Sequence, residues 1–269
     1  MNAYSIISGE DQDKLAETQA GILENFKKRA ISEKIKANII SGDPTSGSII
    51  VNRFANSKLQ KAGTARTAGK GNALDNSGKT TVLIDDRLEI MEEVSYDDIK
   101  LRGLPTLVEE RKTNHLSTIL VGMEKKFFDV AEKAGSEVVV SGIADIEGKI
   151  EAVFQDVEST SNPYVEGVER EIMSATLSPK AYGAIRTKLD KIVGADGEEF
   201  YAYHGVKVFS NVRQTKDIIV MVDGSVAQPY YITPYDSNRI PLSNDYSIES
   251  FLTRGTKAIA PDLIKWATV

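Results

Sequence analysis

The stretch Pro105–Gly135, PTLVEERKTNHLSTILVGMEKKFFDVAEKAG, constrains the chain more than any other. Leu116, Ile119, Leu120, Met123, Phe127, Val130, Ala131 and Ala134 recur at steps of three and four residues. That spacing sets them along one side of a helix with 3.6 residues per turn. Lys112, Glu124, Lys125, Asp129, Glu132 and Lys133 fall on the opposite side. Pro105 suits a first helical turn, where its missing N–H costs nothing. Gly135 suits a left-handed stop after the last turn. At 1.5 Å per residue, about 30 residues span roughly 45 Å. This exceeds the mean globular helix, so the predicted element is a beam on which other layers can lean.

The 269 residues allow one elaborated domain or two modest ones. No run approaches the roughly 18 apolar residues of a membrane span, and MNAYSIISGEDQDKL lacks the basic start of a signal peptide. Cysteine is absent, which removes disulfides, thiolate catalysis and thiolate metal ligands together. A net charge of −6 argues against a dedicated nucleic-acid binder but leaves room for weak contact through one face. The two histidines, His115 and His204, lie far apart and read as surface or core residues rather than a catalytic pair.

Residues 8–40 read as one helix opened by Ser8 and Asp11 in a capping-box arrangement. Leu15, Ile22, Leu23, Phe26, Ala30 and Ile31 keep helical spacing, and the element is expected to be an arm that packs on a neighbouring subunit. SGDP at 41–44 ends it.

Two predicted strands follow, SGSIIVNRFA from Ser46 and KTTVLIDDRLEIMEEVSY from Lys79. Between them lies SKLQKAGTARTAGKGNALDNSG, nearly free of large apolar groups. A polar connection of about 20 residues is rare in a compact domain unless it has a task. It cannot bury a core of its own, so its sequence requires another surface to order it. Charge is partitioned along this hairpin. From Ser46 to Thr80, Arg53, Lys58, Lys61, Arg66, Lys70 and Lys79 face Asp75 alone. From Thr81 to Glu110 nine acids, among them Asp85, Asp86, Glu89, Glu92 and Glu93, face three bases. A basic tip (Arg53, Lys58, Lys61, Arg66, Lys70) and an acidic base (Asp85, Asp86, Glu89, Glu92, Glu93) are expected to meet between identical subunits. Exposed ion pairs contribute about 0–1 kcal/mol each, so they would set register more than affinity.

After the beam, Val138–Gly142 reads as a buried strand and Ile146, Ile150, Phe154 and Val157 as a helix. Ser159–Pro163 reads as a loop, Glu171–Thr176 as a strand, and Ser178-Pro179 as the start of a helix over Lys180–Leu189. Ala195-Asp196-Gly197 is a turn; Phe200–Tyr203, Val206–Phe209 and Ile218–Val222 are strands. Strands, with turns between them, occupy Gln228 to Ile264. Helices and strands mix without a regular βαβ alternation, which makes the class α+β.

No motif assembles chemistry. Gly63–Gly71 has five residues between its first two glycines and Gly after Lys70, so it fails the phosphate-loop spacing. Adjacent carboxylates such as Asp85-Asp86 or Glu92-Glu93 point to opposite faces of a strand and make poor catalytic pairs. Asp196-Gly197-Glu198-Glu199 is too short for a calcium loop. No serine elbow and no histidine-pair metal motif occurs. Neither catalytic residues nor a cofactor or metal site are assigned.

The order of parts is more specific than any one of them. A helical arm, a long two-stranded loop with a basic tip, a long helix, a mixed lobe and returning strands resemble the major capsid protein of tailed bacteriophages, the Hong Kong phage type of shell subunit. MSATLSPKAYGAIRTKL is similar to the family's strand-then-helix, and YHGVKVFSNV to its strand pair. IIVMVDGSVAQPYYI followed by YSIESFLTRGTKAIAPDLI is similar to its ending, with turns at Gly255 and Pro261. The resemblance spans nearly the whole chain. It implies an N-arm over 1–45, an extended loop and its base over 46–102, and the spine helix of a peripheral domain over 103–137. An axial domain over 138–209 and strands returning to the peripheral domain over 210–269 complete it. It also implies hexamers and pentamers closing an icosahedral shell around double-stranded DNA, in a virion built in the host cytoplasm. No long extension precedes the loop, so a separate scaffolding protein is expected, with a portal and possible decoration protein as further partners and no membrane. Some relatives join a loop lysine to a neighbour's asparagine; Lys58, Lys61 and Lys70 lie in the loop, but no motif fixes a partner, and that chemistry is not carried over. Two alternatives stay open: an encapsulin-like nanocompartment shell, and an enzyme whose site is built from residues distant in sequence.

Overall fold

In the computed structural model, which describes residues 8–38, 44–56, 61–63, 78–193 and 199–269, the chain opens on helix α1, Gly9–Arg29. Ser8 Oγ accepts the Asp11 N–H at 3.2 Å and Asp11 Oδ2 accepts the Ser8 N–H at 3.3 Å, the reciprocal cap anticipated from the sequence. The helix expected over 8–40 is interrupted. Ala30 is extended at φ −72°, ψ 125°, and a short helix α2, Ile31–Ile35, restarts beyond it. The Ile31 N–H is taken by the side chain of Glu124 at 2.6 Å, so a tertiary bond replaces the helical one.

Helix α3 spans Tyr96–Arg102, and α4, the predicted beam, spans Leu104–Ala134 with Pro105 in its first turn. Ile22 and Phe26 of the first helix, with Ala30 at the break after it, pack on Leu116, Ile119, Leu120 and Met123 of α4. Each large side chain so buried stabilises by roughly 1.5–3 kcal/mol. By this face the arm packs along its own long helix. Two expectations about α4 are corrected. Gly135 ends it in an extended conformation, φ −73°, not a left-handed one. Glu124, placed by periodicity on the polar face, is fully buried.

Beyond α4 runs a seven-stranded sheet. Its strands are β4 (Ser136–Glu137), β7 (Met173–Leu177), β8 (Asp190–Val193), β9 (Glu199–Tyr203), β10 (Val206–Ser210), β11 (Ile218–Val222) and β17 (Ile264–Ala267). Their spatial order is β4-β17-β11-β7-β10-β9-β8. Strand β11 reads IIVMV because both of its faces are covered. Ile219 and Met221 meet Phe127, Phe128 and Ala131 of α4, whereas Ile218, Val220 and Val222 join the cluster around Ile150, Phe154 and Val157 of helix α5, Ile146–Glu158. No strand forms at Val138–Gly142, where one is expected; the two-residue β4 lies just before it, Val138 N–H bonds Trp266 O at 2.8 Å, and Val139 is 82% exposed. The helix expected over Lys180–Leu189 is α6, Pro179–Ile185, followed by a 3-10 turn over Arg186–Lys188. The turn read at Ala195–Gly197 lies outside the described residues.

A second sheet is centred on β15, Tyr246–Arg254. On one side it pairs with β13 (Tyr230–Ile232) and β14 (Asp236–Arg239), and on the other with all nine residues of β3, Asp86–Val94. The strand expected from Lys79 to Tyr96 is thus two strands. Its first half is β2, Gly78–Leu83, paired with β1, Ser48–Arg53; its second half leaves that hairpin for the other sheet. The segment 210–269 likewise divides, with β11 and β17 in the seven-stranded sheet, β13, β14 and β15 in the second, and β12 (Val226–Ala227) with β16 (Lys257–Ala258) in a separate small pair, as β5 (Ser161–Asn162) and β6 (Val165–Glu166) form another.

Candidate inter-subunit surface

The hairpin β1–β2 roots the basic loop. Ile49, Val51 and Val82 point inward and pack with Ile84, Ala37 and Ala227, while Ile50 and Leu83 on the outer face, and Phe54 just beyond β1, are about half exposed. This alternation follows from the period of two along a strand. The charge partition places Arg53 among the tip residues expected to contact another subunit. It is instead turned into its own chain. Nη1 and Nη2 bond Asp262 Oδ1 and Oδ2 at 2.5 and 2.7 Å, and the guanidinium lies 4.6 Å from the centre of the Tyr164 ring. Asn162 Nδ2 adds a bond to Asp262 at 2.5 Å, and the Asn56 N–H bonds Pro163 O. Burial acts to raise the Asp262 carboxyl, but the bonds and charge of Arg53 and Asn162 outweigh it and leave the group below the usual carboxylate value. Lys61 is exposed. Lys58, Arg66 and Lys70 lie outside the described residues.

The acidic base separates by strand parity. On β3, Asp86 and Glu92 point to the inner face, with Leu88, Ile90 and Val94; Arg87, Glu89, Met91 and Glu93 point outward. Both inward carboxylates are engaged within the chain. Asp86 accepts from Arg254 Nε at 2.8 Å, and Arg254 also bonds Gly122 O of α4. Glu92 takes Arg111 Nη2 at 2.6 Å, a bond that, with smaller help from charge and against burial, holds its carboxyl below the ordinary value. Asp85, Glu89 and Glu93 are exposed, and their carboxylates have no ion pair or hydrogen bond among the described residues. The far edge of β3 is unpaired among the described residues, so a nine-residue strand with Met91 61% exposed presents its backbone groups.

Distance in sequence hid the remaining participants. Asp262 lies 209 positions from Arg53, and no local pattern links them. His115 is buried on α4 with Nδ1 2.7 Å from Tyr235 Oη, a core role. His204 is exposed at φ 49° beside Glu151. Among the described residues no cluster of His, Asp or Glu could hold a metal, and no helix is long and apolar enough to cross a membrane.

Comparison with protein-family models finds no match, and comparison with curated proteins finds none either. Solved structures share the fold. A capsid structure of the cyanophage P-SCSP1u is 11% identical with a TM-score of 0.56, covering 89% of this chain and 88% of that one. The capsid of an empty GTA particle is 14% identical, TM-score 0.57, covering 88% and 89%. A virus-like particle from Pyrococcus furiosus is 10% identical, TM-score 0.59, covering 94% and 98%. At these identities the likeness establishes fold: the chain has the mixed helix-and-sheet fold of tailed-phage shell subunits.

Proposed function

We propose that the chain is the repeating subunit of an icosahedral phage shell, built from hexamers and pentamers, and that its place is the virion. The observation that carries this reading is the fold itself, matched over about nine tenths of the chain by capsid subunits. Further support comes from the long edge of β3, unpaired among the described residues, and from the exposed apolar residues of the β1–β2 hairpin, surfaces that a solitary protein has reason to cover. The basic loop of one copy lies against the acidic base of the next. Lys58, Lys61, Arg66 and Lys70 supply the positive side, and Asp85, Glu89 and Glu93 the negative side. Many weak contacts then add across the lattice. The domain limits proposed are those of the family: N-arm, extended loop, spine helix, axial domain and returning strands. A separate scaffolding protein, a portal and packaged double-stranded DNA are the proposed partners, with DNA touched weakly and without sequence preference. No catalytic role is proposed.

Electron microscopy of the purified protein, alone and co-expressed with neighbouring head genes, tests the reading. Closed shells with five-fold and six-fold clusters are expected, containing DNA or a scaffold. A monomer at every concentration and in both settings overturns it. Shells filled with a cargo protein transfer it to the nanocompartment class.

A further inference from the structure

The hairpin root (51–53), the end of the arm (34–38), the turn after β11 (222–225) and the turn before β17 (259–263) meet around a pocket of about 580 Å³. That lies within the roughly 300–1,000 Å³ of small-molecule sites. Its floor is apolar: Val51, Val222, Ala260 and Leu263 line it, each 9% exposed or less. Its charged lining is basic, with Lys34, Lys36, Arg53 and Lys207 against Asp223. Lys36 is taken by Glu33 and Arg53 by Asp262. Lys207 gives one bond, at 3.0 Å, to Asp223, whose other oxygen accepts from Ser174 Oγ. An ammonium group carries three donors, so Lys207 has two to spare among the described residues. Ser225 also lines the pocket, is 2% exposed, and its Oγ has no hydrogen bond among the described residues. The turn that carries it is held at two points: the Ser225 N–H bonds Val222 O, and the N–H of Gly224, at φ 88°, bonds Ile35 O. Leaving a buried hydroxyl unpaired is costly. The pocket is thus rich in donors and short of an acceptor.

We propose that this pocket binds an amphiphilic monocarboxylate, a carboxylate head on an alkyl chain. The spare donors of Lys207 and Ser225 call for an anionic oxygen, and the floor calls for a hydrocarbon body. Asp223 beside Lys207 disfavours a doubly charged phosphate head, and an ammonium head meets the wrong sign. No aromatic side chain lines the pocket among the described residues, so a nucleobase has nothing to stack on. The site is complete within one chain and holds whether or not copies assemble. Its occupant touches Val51 of the hairpin and Ala37 at the end of the arm together. Binding therefore stabilises their closed arrangement by mass action and slows opening of the loop root.

Octanoate, below its aggregation concentration, is the probe, with octylamine and inorganic phosphate as controls for charge and for chain. Octanoate carrying a diazirine on its chain is irradiated with the full-length protein, and labelled peptides are read by mass spectrometry. Label is expected in 222–225 and 259–263, is removed by excess octanoate, and survives the same excess of octylamine or phosphate. Saturating octanoate should slow amide exchange at Ile49–Val51 severalfold. Lys207→Gln should weaken octanoate about tenfold or more, the loss of a bond to a charged group. Ser225→Ala should weaken it severalfold without lowering the melting temperature of the free protein, and it keeps the test standing where Lys207→Gln does not fold. Label absent from the pocket, or spread over exposed apolar residues such as Val139 and Leu242, overturns the inference. Equal competition by octylamine does the same. Equal competition by phosphate shows that the pocket reads charge alone and overturns it too, as does unchanged octanoate affinity in every variant that folds.

Discussion

Arg53 and Asp262, 209 residues apart, form a two-pronged ion pair with N–O distances of 2.5 and 2.7 Å. The pair fastens the root of the basic loop to the segment just before the last strand, and the ring of Tyr164 backs the guanidinium at 4.6 Å. Paired bonds between a guanidinium and a carboxylate are among the stronger polar interactions because fork and carboxylate match in shape. Removing one partner leaves the other partly buried. Arg53→Ala is therefore expected to weaken closure of β1–β2 by about 2 kcal/mol. That predicts roughly 30-fold faster amide exchange in Ile49–Val51, with little change in the seven-stranded sheet. Arg53→Lys should recover only part, because it keeps the charge but loses the fork. Unchanged exchange in both variants would show that the loop root is held by its apolar face alone.

Acid should loosen the other lobe through Glu151. A hydrogen bond from Arg170, which also grips Glu158, is the main cause that lowers the Glu151 carboxyl from 4.5 to about 2; burial opposes it, and bonds from His204 and Gln155 assist. A carboxyl lowered in the folded state stabilises that state at pH above its unfolded value and loses the contribution as pH falls through the folded one. The loss attributable to Glu151 should fall between pH 4.5 and about 2. The urea midpoint followed over this range should drop less steeply in Glu151→Gln than in the unsubstituted protein. At neutral pH the variant should be the less stable of the two. Parallel curves would remove Glu151 from the acid response.

The parts of the fold that could be read from the sequence are those with a strong local period. The 31-residue helix α4 appeared within one residue of its observed ends because its apolar stripe is uninterrupted and a proline and a glycine bracket it. The run IIVMV at Ile218–Val222 marked a doubly covered strand for a similar reason. What failed depended on distant partners. The break at Ala30 requires Glu124 to take the Ile31 amide, and Glu124 looked like one more polar-face residue. The separation of β2 from β3 follows from β15, more than 150 residues later, which claims all of Asp86–Val94. The charge partition predicted an acidic base, but strand parity turned Asp86 and Glu92 inward, and only the structure supplied arginines to receive them.

Buried in the middle of α4, Glu124 accepts the Ile31 N–H through one oxygen and the Arg213 guanidinium through the other. One carboxylate thus ties the junction of α1 and α2, the long helix, and the loop between β10 and β11. Arg213→Ala should be more damaging than Glu124→Gln. The first leaves a charge with no counterion at a fully buried site, a loss of about 3–5 kcal/mol. The second removes that charge and keeps an acceptor for Ile31. The double variant should be more stable than Arg213→Ala alone, a coupling that a thermodynamic cycle of urea unfolding would read directly. If the two losses simply add, the bond between them contributes nothing.

Two glycines of the long helix and its end should respond to alanine with opposite sign. At Gly135 an added Cβ would sit 2.8 Å from both Ile264 Cγ2 and Ile264 O, closer than such atoms approach, and one of those neighbours is backbone. Strand β17 must then move away from α4, and overpacking of this kind costs typically about 1–3 kcal/mol. At Gly122, in the interior of the same helix, the nearest atom to an added Cβ is Arg254 Nη1 at 3.8 Å, an ordinary contact. Alanine there fills no occupied space and removes the conformational entropy that glycine loses on helix formation. It should stabilise by up to about 1 kcal/mol. Thermal melting of Gly122→Ala and Gly135→Ala should therefore bracket the unsubstituted protein from above and below. A destabilised Gly122→Ala would mean that the bond from Arg254 to the Gly122 carbonyl tolerates no adjustment of the helix, which would make that arginine the tighter constraint on where β15 meets α4.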